Sequence, residues 1–180
     1  MGKNSSERSI DNSKLLILLL LLITAATVCV SVWALFFRAP ETALVPDYAP
    51  QETEEHAQPI PNDQGEKAKS EQGGGSVALT YSNQVTIDLS EEQAELMFAN
   101  PGRSNQDMII QIVIQDQVIA QSGKLTAGNQ IKQLDLASGA ADRLSPGGYD
   151  GNFLIFYYSQ ETGEKATVNT KIPIHITVGK

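Results

Sequence analysis

The chain has 180 residues, a formal charge of −8, one Cys, one Trp and two His, a length that suits one domain with an appendage. A single Cys excludes an intramolecular disulfide framework and a Cys-rich zinc site. Charge is partitioned along the chain, +2 over residues 1–38, −6 over 39–76 and −4 over 77–180, so the cationic footprint that nucleic acid demands is missing and no nucleic-acid partner is expected.

Leu15 to Phe37 holds 23 residues without a charged side chain, fifteen of them Leu, Ile, Val or Phe. As a helix it would extend about 34 Å, enough for a hydrocarbon core of about 30 Å. On an insertion scale those fifteen residues contribute roughly −6 kcal/mol. Lys3, Arg8 and Lys14 precede the run and only Arg38 follows before Lys67. The positive-inside bias then puts residues 1–14 in the cytoplasm as a tail and the C-terminus outside, with the lipid bilayer as partner of residues 15–37. The exit through Ala34-Leu35-Phe36-Phe37-Arg38 offers no small-x-small cleavage site, which favours an uncleaved signal-anchor in the cell membrane. Cys29 follows Ala26-Thr27-Val28. The bulky Val28 stands where a lipidated Cys has a small neighbour, so Cys29 reads as a small apolar residue inside the helix.

Residues 38–76 carry five prolines, eight acids and Gly73-Gly74-Gly75-Ser76. Apolar residues are too sparse to offset the entropy of ordering, so a disordered acidic linker is expected. His56 lies among Glu52, Glu54 and Glu55, and a solvated charge run accounts for it better than a metal site.

From Val77 onward apolar residues alternate with polar ones, as in half-buried strands. Val85, Ile87 and Leu89 form one such set, and Ile110, Ile112 and Ile114 share a face opposed by Ile109 and Val113. The clearest run is Val168, Thr170, Ile172, Ile174, Ile176 and Val178. Gly151 to Tyr158 is apolar or aromatic on both faces, as a central strand or one with a contact face would be. Turns are expected at Asn100-Pro101-Gly102, Asp116-Gln117, Thr126–Asn129, Ser145–Gly148 and Glu161–Glu164. Ser90-Glu91-Glu92-Gln93 has the form of a capping box, in competition with a strand over Ala94–Ala99; Ala137–Leu144 is a candidate helical turn. About seven strands over 77–180 predict an all-β, antiparallel immunoglobulin/fibronectin-like sandwich without the inter-sheet disulfide.

Asn100-Pro101 with Asn105, the Ile119–Gly123 run, Leu144-Ser-Pro-Gly-Gly-Tyr149-Asp-Gly151, and Tyr157–Lys165 before a final alternating strand together resemble an uncharacterised family. Its members are small, single-pass, surface-exposed β-sandwich proteins of Gram-positive bacteria. The resemblance implies location and fold, and no activity, cofactor or catalytic residue.

An enzyme needs a nucleophile with a base, a metal or a tuned acid pair. Outside the apolar run there is no Cys, His175 sits alone on the polar face of the last strand, and no G-x-S-x-G, H-E-x-x-H or phosphate-binding loop occurs. Catalysis, a cofactor and a metal are therefore not expected. Asp142, Asp150 and Asn152 would supply three oxygens to Ca²⁺, short of the usual six to eight, so local turn stabilisation explains them better. The expectation is a non-catalytic binding or accessory module contacting a protein of the cell envelope. Its candidate contact residues are Asn100, Asn105, Tyr149, Asp150, Tyr157 and Tyr158, on loop ends and one strand end. The alternative is a carbohydrate-binding or adhesive surface, with Tyr149, Tyr157 and Tyr158 as stacking platforms.

Overall fold

The computed structural model describes residues 12–36, 45–63, 66–69 and 74–180, with side chains of the helix from Leu15 to Cys29. The expected tail over 1–11, Phe37 at the end of the expected 15–37 span, Arg38 and the linker residues 39–44, 64–65 and 70–73 lie outside the described residues. The chain divides into two compact units, Met1–Glu41 and Thr42–Lys180.

In the first unit, helix α1 covers Asn12–Phe36. Its straight-chain leucines lose little rotamer freedom in a helix, and the Thr24 and Thr27 hydroxyls turn back to donate to the carbonyls of Leu20 and Ile23 at 3.0 and 2.5 Å. Leu15 to Ile23 are all 57–67% exposed, so no face of that stretch is covered. The described side chains of α1 span about 22 Å at 1.5 Å per residue, and among the described residues no helix is long and apolar enough to cross a membrane.

The second unit is all-β. Its strands are β1 (Gln58–Pro59), β2 (Thr80–Tyr81), β3 (Gln84–Asp88), β4 (Gln93–Asn100), β5 (Gln106–Ile114), β6 (Gln117–Gln121), β7 (Asn129–Asp135), β8 (Gly147–Ser159) and β9 (Lys165–Gly179). They form one nine-stranded sheet in the order β1-β7-β4-β3-β9-β8-β5-β6, with β2 also paired to β4. The sheet rolls until its ends meet: Ala120 bridges Leu136, and the Ala137 amide donates to the Ile119 carbonyl at 2.7 Å. The expected purely antiparallel pairing fails at one place. β9 returns beside β3 in parallel, from Gln84 opposite His175 to Asp88 opposite Gly179, because a strand at the far end of the sequence closes against the first long one.

Alternation decides what lies inside. Val85 and Ile87, Ile110, Ile112 and Ile114, Phe153 and Ile155, and Ile172 to Val178 at every second position all face one core. Phe98 meets Phe153 edge to face, centroids 5.7 Å apart. On β5 the opposite face is buried too, at Ile109 and Val113.

Local chemistry settles the ambiguous segments. At Ser90–Gln93 the strand wins: the Asp88 carboxylate accepts from the Ser90 amide and hydroxyl at 2.8 and 2.6 Å and from the Glu91 amide at 3.2 Å. This is an Asx turn into β4, with Glu92 at φ 53, instead of a helix cap. The Ser90 hydroxyl first, then the two amides, hold the Asp88 carboxyl below its ordinary pKa. The expected Asp116-Gln117 turn falls one residue earlier, at Gln115 and Asp116, both with positive φ, because Ile114 pairs directly with Gln117. The helical turn within 137–144 is a 3-10 turn at Ala141–Arg143.

The largest correction concerns the linker. Much of the stretch read as disordered is a strap laid on the rolled sheet. Asp47 and Ala49 bond to Lys165 and Gly163 at 2.9 and 2.7 Å, the Glu54 amide donates to Lys124, the Ile60 amide to Gly128 and the Ala68 amide to Arg103. β1 adds to β7 through Gln58 and Pro59. The Asp63 carboxylate takes the Gly102 amide at 2.5 Å. Composition undercounts such a segment because backbone pairing and a few carboxylate-to-amide bonds anchor it, with no apolar run required.

Candidate functional site

The strap explains the two-sided strand β8. Tyr158 is fully buried, and its hydroxyl donates to the Pro46 carbonyl at 2.8 Å. Burial, and then the nearby charge of Asp47, push its pKa up to about 12. Tyr157 points into the core instead, 4% exposed, with its hydroxyl donating to Thr170 Oγ1 at 2.6 Å; burial raises its pKa against the lowering effect of that bond.

These positions correct the expected contact residues. Tyr157 and Tyr158 offer no stacking face, so the carbohydrate platform with Tyr149 is not assembled. Asn100 is buried as well, its amide donating to the carbonyls of Gln106 and Leu125 at 3.0 and 3.1 Å; it fastens β4 to the segment before β7. Asn105 accepts the Ser76 amide at 2.7 Å and donates its own amide to the Ser76 carbonyl at 3.0 Å, which ties the chain before β2 to the start of β5. Tyr149 is half-buried, its hydroxyl donating to the Ser145 carbonyl at 2.9 Å. Asp150 is exposed, 2.9 Å from His175 Nδ1 across β8 and β9. Nor are the six residues one site: the β8 register puts Gly151 opposite Ile114 and Ser159 opposite Gln106. Tyr149 and Tyr158 thus stand at opposite ends of the strand, about 30 Å apart at 3.4 Å per residue.

Asp150 is committed to His175, and among the described residues no group of three or more His, Cys, Asp or Glu side chains gathers as a metal would require. His56 is held in place: its Nδ1 accepts from Gln133 Nε2 at 3.0 Å, which leaves the proton on Nε2, facing Asp135 Oδ1 at 3.3 Å. Under the strap lies a cleft of about 610 Å³ lined by Pro50–Glu55, Ile109 and Gln121–Gly123. Its buried carboxylate, Glu54, is consumed by the amides of Gly123 and His56 at 2.5 and 3.0 Å, so the cleft's chemistry is that of a structural clamp.

What remains open is a strand edge. β9 is paired with β8 along nearly its whole length, but β3 covers its other side only from His175 onward. At the start of β9 the strap covers that same side, where Lys165 donates to Asp47. Residues 166–174 therefore form a free edge among the described residues. Thr167, Asn169 and Lys171 are exposed, and Val168 is 71% exposed. The turn-centred reading missed this edge, although Pro173 within an alternating strand was its signal, since proline is confined to sheet edges.

No family model matches the sequence, and the curated proteins contain no match. Among solved structures, the chain is similar to AggA, the major subunit of aggregative adherence fimbriae type I from Escherichia coli. That similarity has 12% identity, a TM-score of 0.29, and coverage of 64% of this chain and 100% of that one. It is also similar to the CooA pilin subunit of enterotoxigenic Escherichia coli, with 15% identity, a TM-score of 0.24, and coverage of 58% and 99%. At these scores the likeness carries no argument about function.

Proposed function

We propose that this protein is a membrane-tethered, non-catalytic binding or accessory module that contacts protein partners at the cell envelope. The edge of β9 left unpaired among the described residues carries the reading. Unpaired backbone donors and acceptors on a rigid sheet recruit an extended segment by strand addition, and flanking side chains supply selectivity. The anchor is α1 and the apolar run to Phe37, with the N-terminus in the cytoplasm and the sandwich outside. Its support is the leucine-rich stretch exposed on every side, a surface that lipid solvates and water does not. The family resemblance to Gram-positive surface proteins belongs to the same reading.

The experiment is crosslinking on intact cells with a membrane-impermeant reagent and a C-terminal tag. A defined set of membrane or secreted proteins co-purifying with the tag supports the module. A tag that the reagent reaches only after lysis overturns the topology, and wall polymer recovered without a stoichiometric protein overturns the protein partner.

A further inference from the structure

We infer that the strap is a releasable length of tether: a pull between the anchor and the C-terminal end of the sheet peels residues 45–68 away and leaves β2–β9 folded. The inference rests on the reading of α1 as the anchor, and adds what a pull against that anchor does.

The strap is fastened piecemeal, in chain order. Val45 and Pro46 accept at their carbonyls from Lys165 Nζ and the Tyr158 hydroxyl, at 3.4 and 2.8 Å. The Asp47 carbonyl takes the Lys165 amide, its carboxylate stands 3.2 Å from Lys165 Nζ, and the Ala49 amide donates to Gly163. Next, Thr53 is bridged to Lys124, and Glu54 gives its amide to the Lys124 carbonyl while its carboxylate takes the Gly123 amide. Gln58 and Pro59 then lie beside Gln130 and Asn129, the Ile60 amide donates to Gly128, the Asp63 carboxylate takes the Gly102 amide, and the Ala68 amide reaches Arg103. Among the described residues its longest ladder is the two-residue β1.

These stations stand at one end of the rolled sheet. β8 ends there with Ser159 opposite Gln106, Met108 and Leu125 exchange amide and carbonyl beside it, and Asn100 holds the Gln106 and Leu125 carbonyls. The C-terminus leaves from the other end, because β9 starts at Lys165, beside Asp47, and runs to Gly179, about 50 Å at 3.4 Å per residue. A pull between the two ends therefore acts along β9. Its ladder with β8, from Lys165 opposite Tyr158 to Val178 opposite Gly147, shares that load over many bonds at once. The strap passes from one strand end to the next, so the same pull meets its fastenings one after another, starting at Pro46.

Release spares the core. The buried cluster is drawn from Val85 to Val178, and the strap lends it Ala57 at the margin. A segment with so few apolar contacts opens at low cost while the rest stays folded. Residues 45–68 drawn straight measure about 80 Å at roughly 3.4 Å each, which lengthens the reach of the sheet from its anchor. Release also bares Ile109, 1% exposed in the cleft beneath Pro50–Glu55, and the ring of Tyr158.

The test stretches the full-length, detergent-solubilised chain in optical tweezers, with Cys29→Ser as background and DNA handles on introduced cysteines. Glu41→Cys with Lys180→Cys puts the strap in the line of load; Val77→Cys with Lys180→Cys leaves it out. The first pair should lengthen in small reversible steps, up to about 80 Å in all, at forces below that at which the sheet gives way. The sheet's own force should be the same for both pairs. Tyr158→Phe should lower the force of the earliest step and Glu54→Ala that of a later one. Strap and sheet giving way in one event, or equal lengthening in the two pairs, overturns the device. On intact cells, magnetic beads on a C-terminal tag supply the pull and a membrane-impermeant maleimide reads Ile109→Cys. Labelling that rises several-fold under load supports release at the membrane, and labelling indifferent to load with beads bound overturns it. Beads that bind only after lysis overturn the anchor reading, on which the stretching of the solubilised chain does not depend.

Discussion

Tyr158 donates its phenolic hydrogen to the carbonyl of Pro46 at 2.8 Å, across 112 positions of sequence. That bond joins the strap to the outer face of the sheet, and the ring beneath it is fully buried. Tyr158→Phe keeps the ring and leaves the Pro46 carbonyl short of its partner, at a cost of about 1 kcal/mol. Tyr158→Ala also empties the site, at about 3–5 kcal/mol. Thermal melts should rank wild type, Phe and Ala in that order. A Phe variant as unstable as Ala would mean that the hydroxyl, not the ring, holds the strap.

The same burial makes Tyr158 resist ionisation, with its pKa pushed from 10.0 to about 12. Between those values the folded state holds a proton that the unfolded state has released, so stability falls as pH rises. The contribution is intact below pH 10.0 and is lost through about pH 12. An ultraviolet titration should show Tyr158 and Tyr157, both shifted upward by burial, ionising above the ordinary phenol pKa of 10.0. In Tyr158→Phe one late phenol should vanish from the curve.

Glu54 is the other fastening of the strap. Its carboxylate accepts amides from both Gly123 and His56, and a Cβ on Gly123 would stand 3.0 Å from Glu54 Cα. Glu54→Ala leaves two amides without that acceptor, at about 1–3 kcal/mol each where they stay buried. Gly123→Ala pushes the strap away sterically. Glu52 and Glu55 are already exposed, so both variants should speed cleavage there by a glutamate-specific protease through release of the strap backbone, while β3–β9 resist digestion. Cleavage at wild-type rates would show that the strap is held without this clamp.

The strands were legible because their faces differ in chemistry. Ile172, Ile174, Ile176 and Val178 alternate with polar partners, and period two is the arithmetic of a sheet with one wet side. The strap was illegible for the opposite reason. Its bonds run from a carboxylate to Gly123 and from a phenol to Pro46, and neither the spacing nor the composition of residues 45–63 encodes partners at such distances. The tyrosines misled through β8. Two-sided apolarity is shared by a contact strand and a strand covered by a remote segment, and without the strap the two are indistinguishable. Asn100 looked like a loop asparagine because Pro101 follows it, yet its buried amide bridges the carbonyls of Gln106 and Leu125.

Gly151 shows the same long-range logic within the core. It stood beside Asp150 and Asn152 as a candidate calcium turn, but it is buried in the middle of β8, opposite Ile114 on one side and Ile174 on the other. A Cβ there would come 2.6 Å from Ile176 Cδ1 and 2.8 Å from the Val113 carbonyl oxygen. The isoleucine methyl can swing aside; the carbonyl belongs to the β5 backbone and cannot move without disturbing its pairing. Overpacking of this kind costs about 1–3 kcal/mol, so Gly151→Ala should lower the melting temperature by several degrees. Pairing it with Ile176→Val removes the methyl contact and should recover part of the loss, while the carbonyl contact persists. Full recovery in the double variant would assign the tight approach to Ile176 alone, and no loss in Gly151→Ala would mean that β5 and β8 separate more readily than their pairing implies.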